Sequence, residues 1–415
     1  MKLIEVSQST LFIACKDHVV GFSLSTSTTP PRVYRADQGR DSQIFSLTIS
    51  GTDKLYALFD NKVVAVWDIA TGQLVSSKLL KKRAVSLICG SVQVGATSNE
   101  VVITADKVGD IIAHKSPSLD KEVLLGGHTA STITDIAISQ DQTLLLSADR
   151  DEKIRISSFP AVETIQSYCL GHTSVVSSVS TLVLEGRQVI VSSGWDHKVH
   201  VWKYWPGTLS PVATASFDNS STQSAVPVED NVEEDSKLED EQAEEDDMPA
   251  EKQYVEAEAG HYPFKITTTT SDQITALAAV IFRGLSVVKL LRIQGESVQE
   301  CGSVDLPASP ADIIFLSPEK LQVLLPKPHS TVLFAISGVG SEVTVKDVTE
   351  EMASVVQYLQ STEHGSFSQD LVAHAVGFET ETGKGNMFFM HIHYSPFTLC
   401  VLYRNEETQF GQTLQ

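Results

Sequence analysis

Gly127-His128 opens a stretch that continues through Thr134-Asp135-Ile136-Ala137-Ile138-Ser139, Leu145-Leu146-Ser147-Ala148-Asp149-Arg150-Asp151 and Lys153-Ile154-Arg155-Ile156. It returns as Gly171-His172, Val189-Ile190-Val191-Ser192-Ser193-Gly194-Trp195-Asp196 and Lys198-Val199-His200-Val201-Trp202. The two Gly-His pairs lie 44 residues apart, and Asp151 and Asp196 lie 45 apart. An earlier copy ends in Trp67-Asp68, and another holds Val102-Ile103-Thr104-Ala105-Asp106-Lys107. Within each copy the apolar runs are short and β-branched. Their period is nearer 2 than 3.6, which marks strands rather than helices. Self-similarity at about 40 to 45 residues marks an array of equal units that bury their apolar faces against one another.

Gly-His at the front of each unit and Trp-Asp at its back resemble the WD repeat. The resemblance implies an all-β fold, a β-propeller of four-stranded blades. Strand runs place seven blades at 8–26, 44–71, 84–116, 126–158, 170–204, 262–295 and 308–338. The last two carry neither signature and rest on the runs at 276–282, 287–293, 313–316 and 332–336. The Asp of each unit is expected to cap the tight turn between second and third strands and to join a buried polar network. His172, Ser192, Asp196 and Trp202 supply one such network. His128, Ser147 and Asp151 supply another, with Ser157 where Trp would stand. The division is then 1–211 for blades one to five, 212–260 for an acidic disordered loop, 261–340 for blades six and seven, and 341–415 for a C-terminal segment of uncertain structure. Within that last segment, 345–359 reads as a helix, with Val348, Met352, Val355, Val356 and Leu359 on its apolar side.

The chain has 415 residues, 42% of them hydrophobic and 20% charged, with a net charge of −21. That is enough apolar material for a sizeable core, so a wholly disordered or fibrous chain is excluded. Residues 229–258 alone carry −13, leaving −8 for everything else. A protein that grips nucleic acid by its own field should be basic, so tight binding of nucleic acid by this chain alone is not expected. Five cysteines, odd in number and without a CxxC pair, argue against a disulfide framework and against a zinc finger. No run approaches the roughly 18 apolar residues of a membrane span, and the first residues do not read as a signal peptide. A soluble intracellular protein is expected.

Catalytic constellations are missing. There is no GxxxxGK[ST] loop, no GxSxG elbow and no GxGxxG after a strand. His391-Ile392-His393 has no acid or thiol close behind it to complete a metal site. No catalytic, cofactor or metal residue is therefore assigned. The most informative segment is 147–157, where Asp149, Arg150, Asp151, Glu152 and Lys153 run consecutively at a turn. In the strand that follows, Ile154 and Ile156 share one face, and Lys153 and Arg155 the other. A rigid ridge of both signs can dock a protein partner, and arginine forms two-pronged bonds to a carboxylate. Lys78, Lys81, Lys82 and Arg83 form a basic cluster with the chemistry to touch phosphate.

The run 148–155, followed by Cys169-Leu170-Gly171-His172-Thr173, resembles the WD-repeat non-catalytic subunit of the tRNA (guanine-N7-)-methyltransferase. Glu152 and Ser157 stand where generic WD repeats have Gly and Trp, a departure in common with that family. The resemblance implies a propeller without an active site, clamped in a heterodimer against a separate methyltransferase. That partner binds S-adenosylmethionine and forms N7-methylguanosine in the variable loop of tRNA. This chain then has no cofactor, no small-molecule substrate and no membrane, and it meets tRNA mainly through its partner. The family's docking arginine matches Arg155, and its charged neighbours match Arg150, Asp151, Glu152 and Lys153. The expected location is the nucleus, with the cytoplasm second. A general WD-repeat scaffold for a ubiquitin-ligase or chromatin complex is the alternative.

Overall fold

Short runs rich in valine, isoleucine and leucine, each closed by turn residues, fold into seven antiparallel sheets taken one after another along the chain. The computed structural model describes residues 2–359, 389–395 and 398–404, apart from 8, 25–29, 37–41, 52, 95–96, 130, 218–260, 327–330, 339–342, 353–354 and 358. The sheets occupy 4–35, 44–79, 84–127, 133–170, 176–216, 263–305 and 312–347. Each pairs four consecutive strands in chain order, save that the connection between the last two strands of the fifth sheet detours through a short strand on the fourth. The first strand of every sheet touches the first strand of the next, and that of the seventh returns to the first. The seven sheets are therefore the blades of a closed β-propeller. Among the described residues, no helix is long and apolar enough to cross a membrane.

Apolar side chains from neighbouring blades meet in seams. Leu146, Ile154 and Ile156 of blade four pack with Val176, Ile190 and Trp202 of blade five. Val85, Ile103 and Ile111 of blade three pack with Ile133 and Leu145 of blade four. Polar ties reinforce these seams at the hub. The Asp135 carboxylate accepts hydrogen bonds from the Ser178 hydroxyl at 3.0 Å, the Val179 amide at 3.2 Å and the Ser86 hydroxyl at 3.3 Å. One side chain thus joins blades three, four and five. Lys2 and first-strand residues of blades two to seven line a central cavity of about 270 Å³ around it.

Blades one and seven share no strand, so side chains close the ring. Asp312 of blade seven accepts the backbone N–H groups of Leu3 at 2.5 Å and Ile4 at 2.9 Å. Met352, Val355 and Leu359, which follow blade seven, are buried in the same apolar cluster as Leu3, Ile4 and Phe12.

Each expected blade matches an observed one, but the bounds shift. The outer strands Leu74–Leu79, Glu122–Gly127, Ile165–Leu170 and Ser297–Asp305 lie beyond the expected limits. An outermost strand is covered on fewer sides, so its sequence mixes polar and apolar residues without a clear period. Ala213–Ser216, expected within the acidic loop, is the outer strand of blade five. The rest of that segment, 218–260, lies outside the described residues. The helix expected at 345–359 is corrected. Thr344–Asp347 pairs with the preceding strand, Ile336 opposite Val345, and a 3₁₀ turn follows at Thr349–Met352. Among the described residues, α-helical backbone appears at 355–357 and 359. Residues 377–415 form a separate unit, in which Phe389–Ser395 and Thr398–Arg404 pair as a hairpin.

Candidate partner-docking surface

The charged ridge caps the second and third strands of blade four, Leu144–Asp149 and Lys153–Ser158. Asp149 is buried and holds the turn. Its Oδ1 accepts the Lys153 N–H at 3.0 Å, and its Oδ2 accepts the His128 Nδ1–H at 2.9 Å. With Nδ1 donating, His128 Nε2 accepts the Ser147 hydroxyl at 2.6 Å. The expectation that Asp151 joins this network is therefore corrected: Asp149 does, and Asp151 is half-buried at the turn. Blade five shows why two positions can do the same work. Ala148 pairs with Ile154 as Ser193 pairs with Val199, so Asp149 stands where blade five has Gly194. A Cβ at Gly194 would lie 2.5 Å from His172 Nδ1 and 2.7 Å from Asp196 Oδ1. The space an Asp149-like side chain would enter is already filled by Asp196, reaching back from two residues later.

In blade five the expected network is complete. Asp196 accepts from His172 Nδ1 at 3.0 Å, and Trp202 Nε1 donates to the Ser192 hydroxyl at 2.9 Å. Ser192 in turn meets His172 Nε2 at 2.8 Å. Burial raises the Asp196 carboxyl, but the bond and charge of His172, the Thr173 amide and His200 together hold it below the usual range. His200 joins the group, its ring centroid 4.4 Å from that of His172, and burial pushes its pKa down to about 4. His172, Asp196 and His200 bring three ligand-type atoms within 4.8 Å of one another. His172 donates from Nδ1 to Asp196 and meets Ser192 at Nε2, so both ring nitrogens are occupied and the blade's internal network accounts for the cluster.

By the same strand register, Arg155 stands where blade five has His200, and Ser157 where it has Trp202. Arg155 is half-buried. Its Nη1 donates to the carbonyl of Gly127, at the end of blade three's outer strand. Its guanidinium lies 5.9 Å from the centre of the Tyr168 ring in blade four's outer strand. Arg155 Nε and Ser157 Oγ are buried without a hydrogen-bond partner among the described residues. Among those residues, no carboxylate pairs with Arg155 or Arg150 within ion-pair distance. Lys153 is exposed, and Arg150, Asp151 and Glu152 are half-buried. Glu152 holds a left-handed backbone, φ +69°, at a turn position that glycine would adopt without strain. Ile154 and Ile156 are buried, as their alternation requires. All five predicted docking residues therefore sit together on one turn and strand, none of them among the residues lining the central cavity.

Three of the four residues of the basic cluster pair with acids within the fold. Lys78 and Lys81 both pair with Glu122, Lys78 at 2.9 Å, and Lys82 pairs with Asp110 at 2.5 Å. Hydrogen bonds from Lys81 and Lys78 hold the Glu122 carboxyl down to about 2. These pairs tie blade two to blade three. Sequence reasoning missed Asp149, although Asp106 in blade three signals it. Asp106 Oδ1 accepts the amides of Val108, Gly109 and Asp110 at 2.9–3.0 Å from the matching position.

Residues 112–357 match the family described as the tRNA methyltransferase TRM82 WD40 domain. Among curated proteins, the chain is 32% identical over 186 residues to the tRNA (guanine-N(7)-)-methyltransferase non-catalytic subunit wuho of Drosophila erecta, covering 45% of this chain and 40% of that one. It is 30% identical over 195 residues to the non-catalytic subunit WDR4 of Mus musculus, covering 45% and 46%. With the human WDR4 it shares 33% over 174 residues, covering 41% and 40%. The matched region thus spans less than half of each of these relatives. Among solved structures, the Cps50 (Swd1) β-propeller domain of Myceliophteria thermophila superposes with a TM-score of 0.59 at 10% identity, covering 81% of this chain and 96% of that one. That likeness concerns the fold alone.

Proposed function

This chain belongs to the tRNA methyltransferase TRM82 WD40 domain family, and from that premise we propose that it is the non-catalytic subunit that binds and stabilises a methyltransferase forming N7-methylguanosine in the variable loop of tRNA. The observation that most supports this reading is Arg155. It is half-buried, oriented by the Gly127 carbonyl and the Tyr168 ring, and without an acid of its own among the described residues. A guanidinium held in this way presents its remaining N–H groups to an incoming carboxylate with little ordering left to lose. Lys153, Glu152, Asp151 and Arg150 flank it and set the charge pattern that selects the partner and its orientation. The partner carries S-adenosylmethionine and the catalytic residues and makes most of the tRNA contacts. The acidic charge of this chain suits that division of labour. A nuclear location belongs to the same proposal and is checked by fractionation.

The test is co-expression with the methyltransferase subunit from the same organism, followed by size exclusion and measurement of N7-methylguanosine in bound tRNA. Arg155→Leu and Arg155→Glu should keep a cooperative melt yet weaken the complex by about 2–5 kcal/mol, about thirtyfold or more in Kd. Co-elution of Arg155→Glu with the methyltransferase at wild-type affinity would refute the docking role.

A further inference from the structure

The cavity at the hub carries three charged lining residues, Lys2, Lys265 and Asp135. Lys2 forms an ion pair with Glu5 of blade one. Asp135 is satisfied by neutral donors. Its Oδ1 accepts the Ile136 amide at 3.1 Å and the Ser86 hydroxyl at 3.3 Å, and its Oδ2 accepts the Ser178 hydroxyl at 3.0 Å and the Val179 amide at 3.2 Å. Lys265 Nζ stands 3.9 Å from that Oδ2, near enough for attraction and too far for a hydrogen bond. The Lys265 side chain is only 14% exposed, and its ammonium has no hydrogen-bond acceptor among the described residues. An ammonium drawn this far from water calls for an acceptor.

The surroundings say which acceptor fits. Thr267 lies two residues along the same strand, on the face that carries Lys265. Its hydroxyl, like that of Ser46 in blade two, lines the cavity and makes no hydrogen bond to the described residues. The site is therefore rich in donors and short of acceptors. Ile88, Ile138 and Ile314 belong to the apolar part of the wall. At about 270 Å³ the cavity falls just below the roughly 300 Å³ at which small-ligand sites begin. Among the lining groups, two lysines against Asp135 leave one positive charge, which a monoanion balances and a dianion exceeds. Glu5 beside Lys2 tips the balance further from a dianion. We propose that the hub of the propeller binds a small monocarboxylate with an apolar body, its carboxylate held by Lys265 with the Thr267 and Ser46 hydroxyls. The proposal stands apart from the docking reading, since no ridge residue lines the cavity.

The test titrates the full chain by calorimetry with hexanoate and benzoate, and with inorganic phosphate and hexylamine as probes of other charge. The two acids should bind, and phosphate and hexylamine should bind more weakly or not at all. Lys265→Met and Lys265→Gln should lose at least about tenfold in Kd for both acids. Lys289→Met, whose lysine pairs with Glu300 elsewhere in blade six, should bind them as wild type. Should both Lys265 variants fail to melt cooperatively, isoleucine methyl resonances of the wild type decide: those of Ile88, Ile138 and Ile314 should shift with hexanoate and not with hexylamine. Absence of acid binding by the wild type at millimolar concentration, binding of phosphate or hexylamine as tight as that of the acids, or undiminished binding by a folded Lys265→Met overturns the proposal.

Discussion

Replacing Asp149 and Asp151 separately by alanine separates two readings of the same turn. The repeat spacing favours Asp151 as the cap, whereas the geometry gives the work to Asp149. Removing the Asp149 carboxylate leaves the His128 Nδ1–H and the Lys153 N–H without acceptors, and the histidine is deeply buried. Each buried donor so orphaned costs about 1–3 kcal/mol. The Lys153 amide is nearer water and sits at the low end, so Asp149→Ala should destabilise by about 3 kcal/mol. A domain of 150–250 residues loses about 2–4 °C per kcal/mol, and a larger ring falls at or below the low end, giving a melting shift of about 6 °C. Asp151 is half-buried and makes no side-chain hydrogen bond to the described residues, so Asp151→Ala should stay within about 0.5 kcal/mol. Scanning calorimetry of the two variants beside the wild type measures both. A loss for Asp151→Ala equal to or greater than that for Asp149→Ala would refute the assignment.

Burial holds His114 and His200 at about 4, against an ordinary 6.5. Between those values the unfolded chain binds more protons than the folded one, so stability is complete above about pH 6.5 and falls as pH drops toward 4, by up to about 3 kcal/mol per histidine. Urea titrations at pH 7.5 and 5 should show the drop, and His114→Gln with His200→Gln should flatten it. Asp312→Ala removes the acceptor of two amides at the ring closure, and amide exchange at Leu3 and Ile4 should accelerate by about tenfold or more while the hub of blades three to five keeps its protection. Met352→Ala opens a void in the cluster shared with blade one and should cost about 2–4 kcal/mol, read as a lower urea midpoint at unchanged slope.

How much of this was legible in the sequence depends on what each element buries. Inner strands such as Leu144–Asp149 are covered on both faces, so their apolar residues stand out and every blade was located. Outer strands such as Leu74–Leu79, mostly exposed, left no such trace. The stretch at 345–359 misled because its apolar residues at helical spacing do mark a buried face. Met352, Val355 and Leu359 pack together, yet Val345 is held by pairing with Ile336, a long-range choice that local spacing does not reveal. The docking residues were legible as a charge run. The Gly127 carbonyl and Tyr168 ring that orient Arg155 were not, because neither is near it in sequence.

Comparing blades four and five strand by strand gives the physical sense of the ridge. Blade four carries Asp149 for Gly194, Arg155 for His200 and Ser157 for Trp202. Ser157 Oγ is buried without a partner among the described residues where Trp202 in blade five bonds Ser192, while Arg155 Nε and its blade-five counterpart His200 Nε2 are both unpartnered. Glu152 adds a left-handed backbone that a glycine would relieve. Three such features, at Glu152, Arg155 and Ser157, fall within six residues of blade four, beside the turn whose arginines have no acid partner among the described residues. Buried atoms without a partner among the described residues also occur at Asp106, His114 and His200, and left-handed non-glycine residues at Lys62, Gln142 and His197. What marks a contact outside the fold is Arg155 itself, held by Gly127 and Tyr168 with no acid among the described residues. A carboxylate brought to Arg155 by the partner would stabilise the folded propeller. The melting temperature of the propeller should therefore rise on complex formation more in the wild type than in Arg155→Leu.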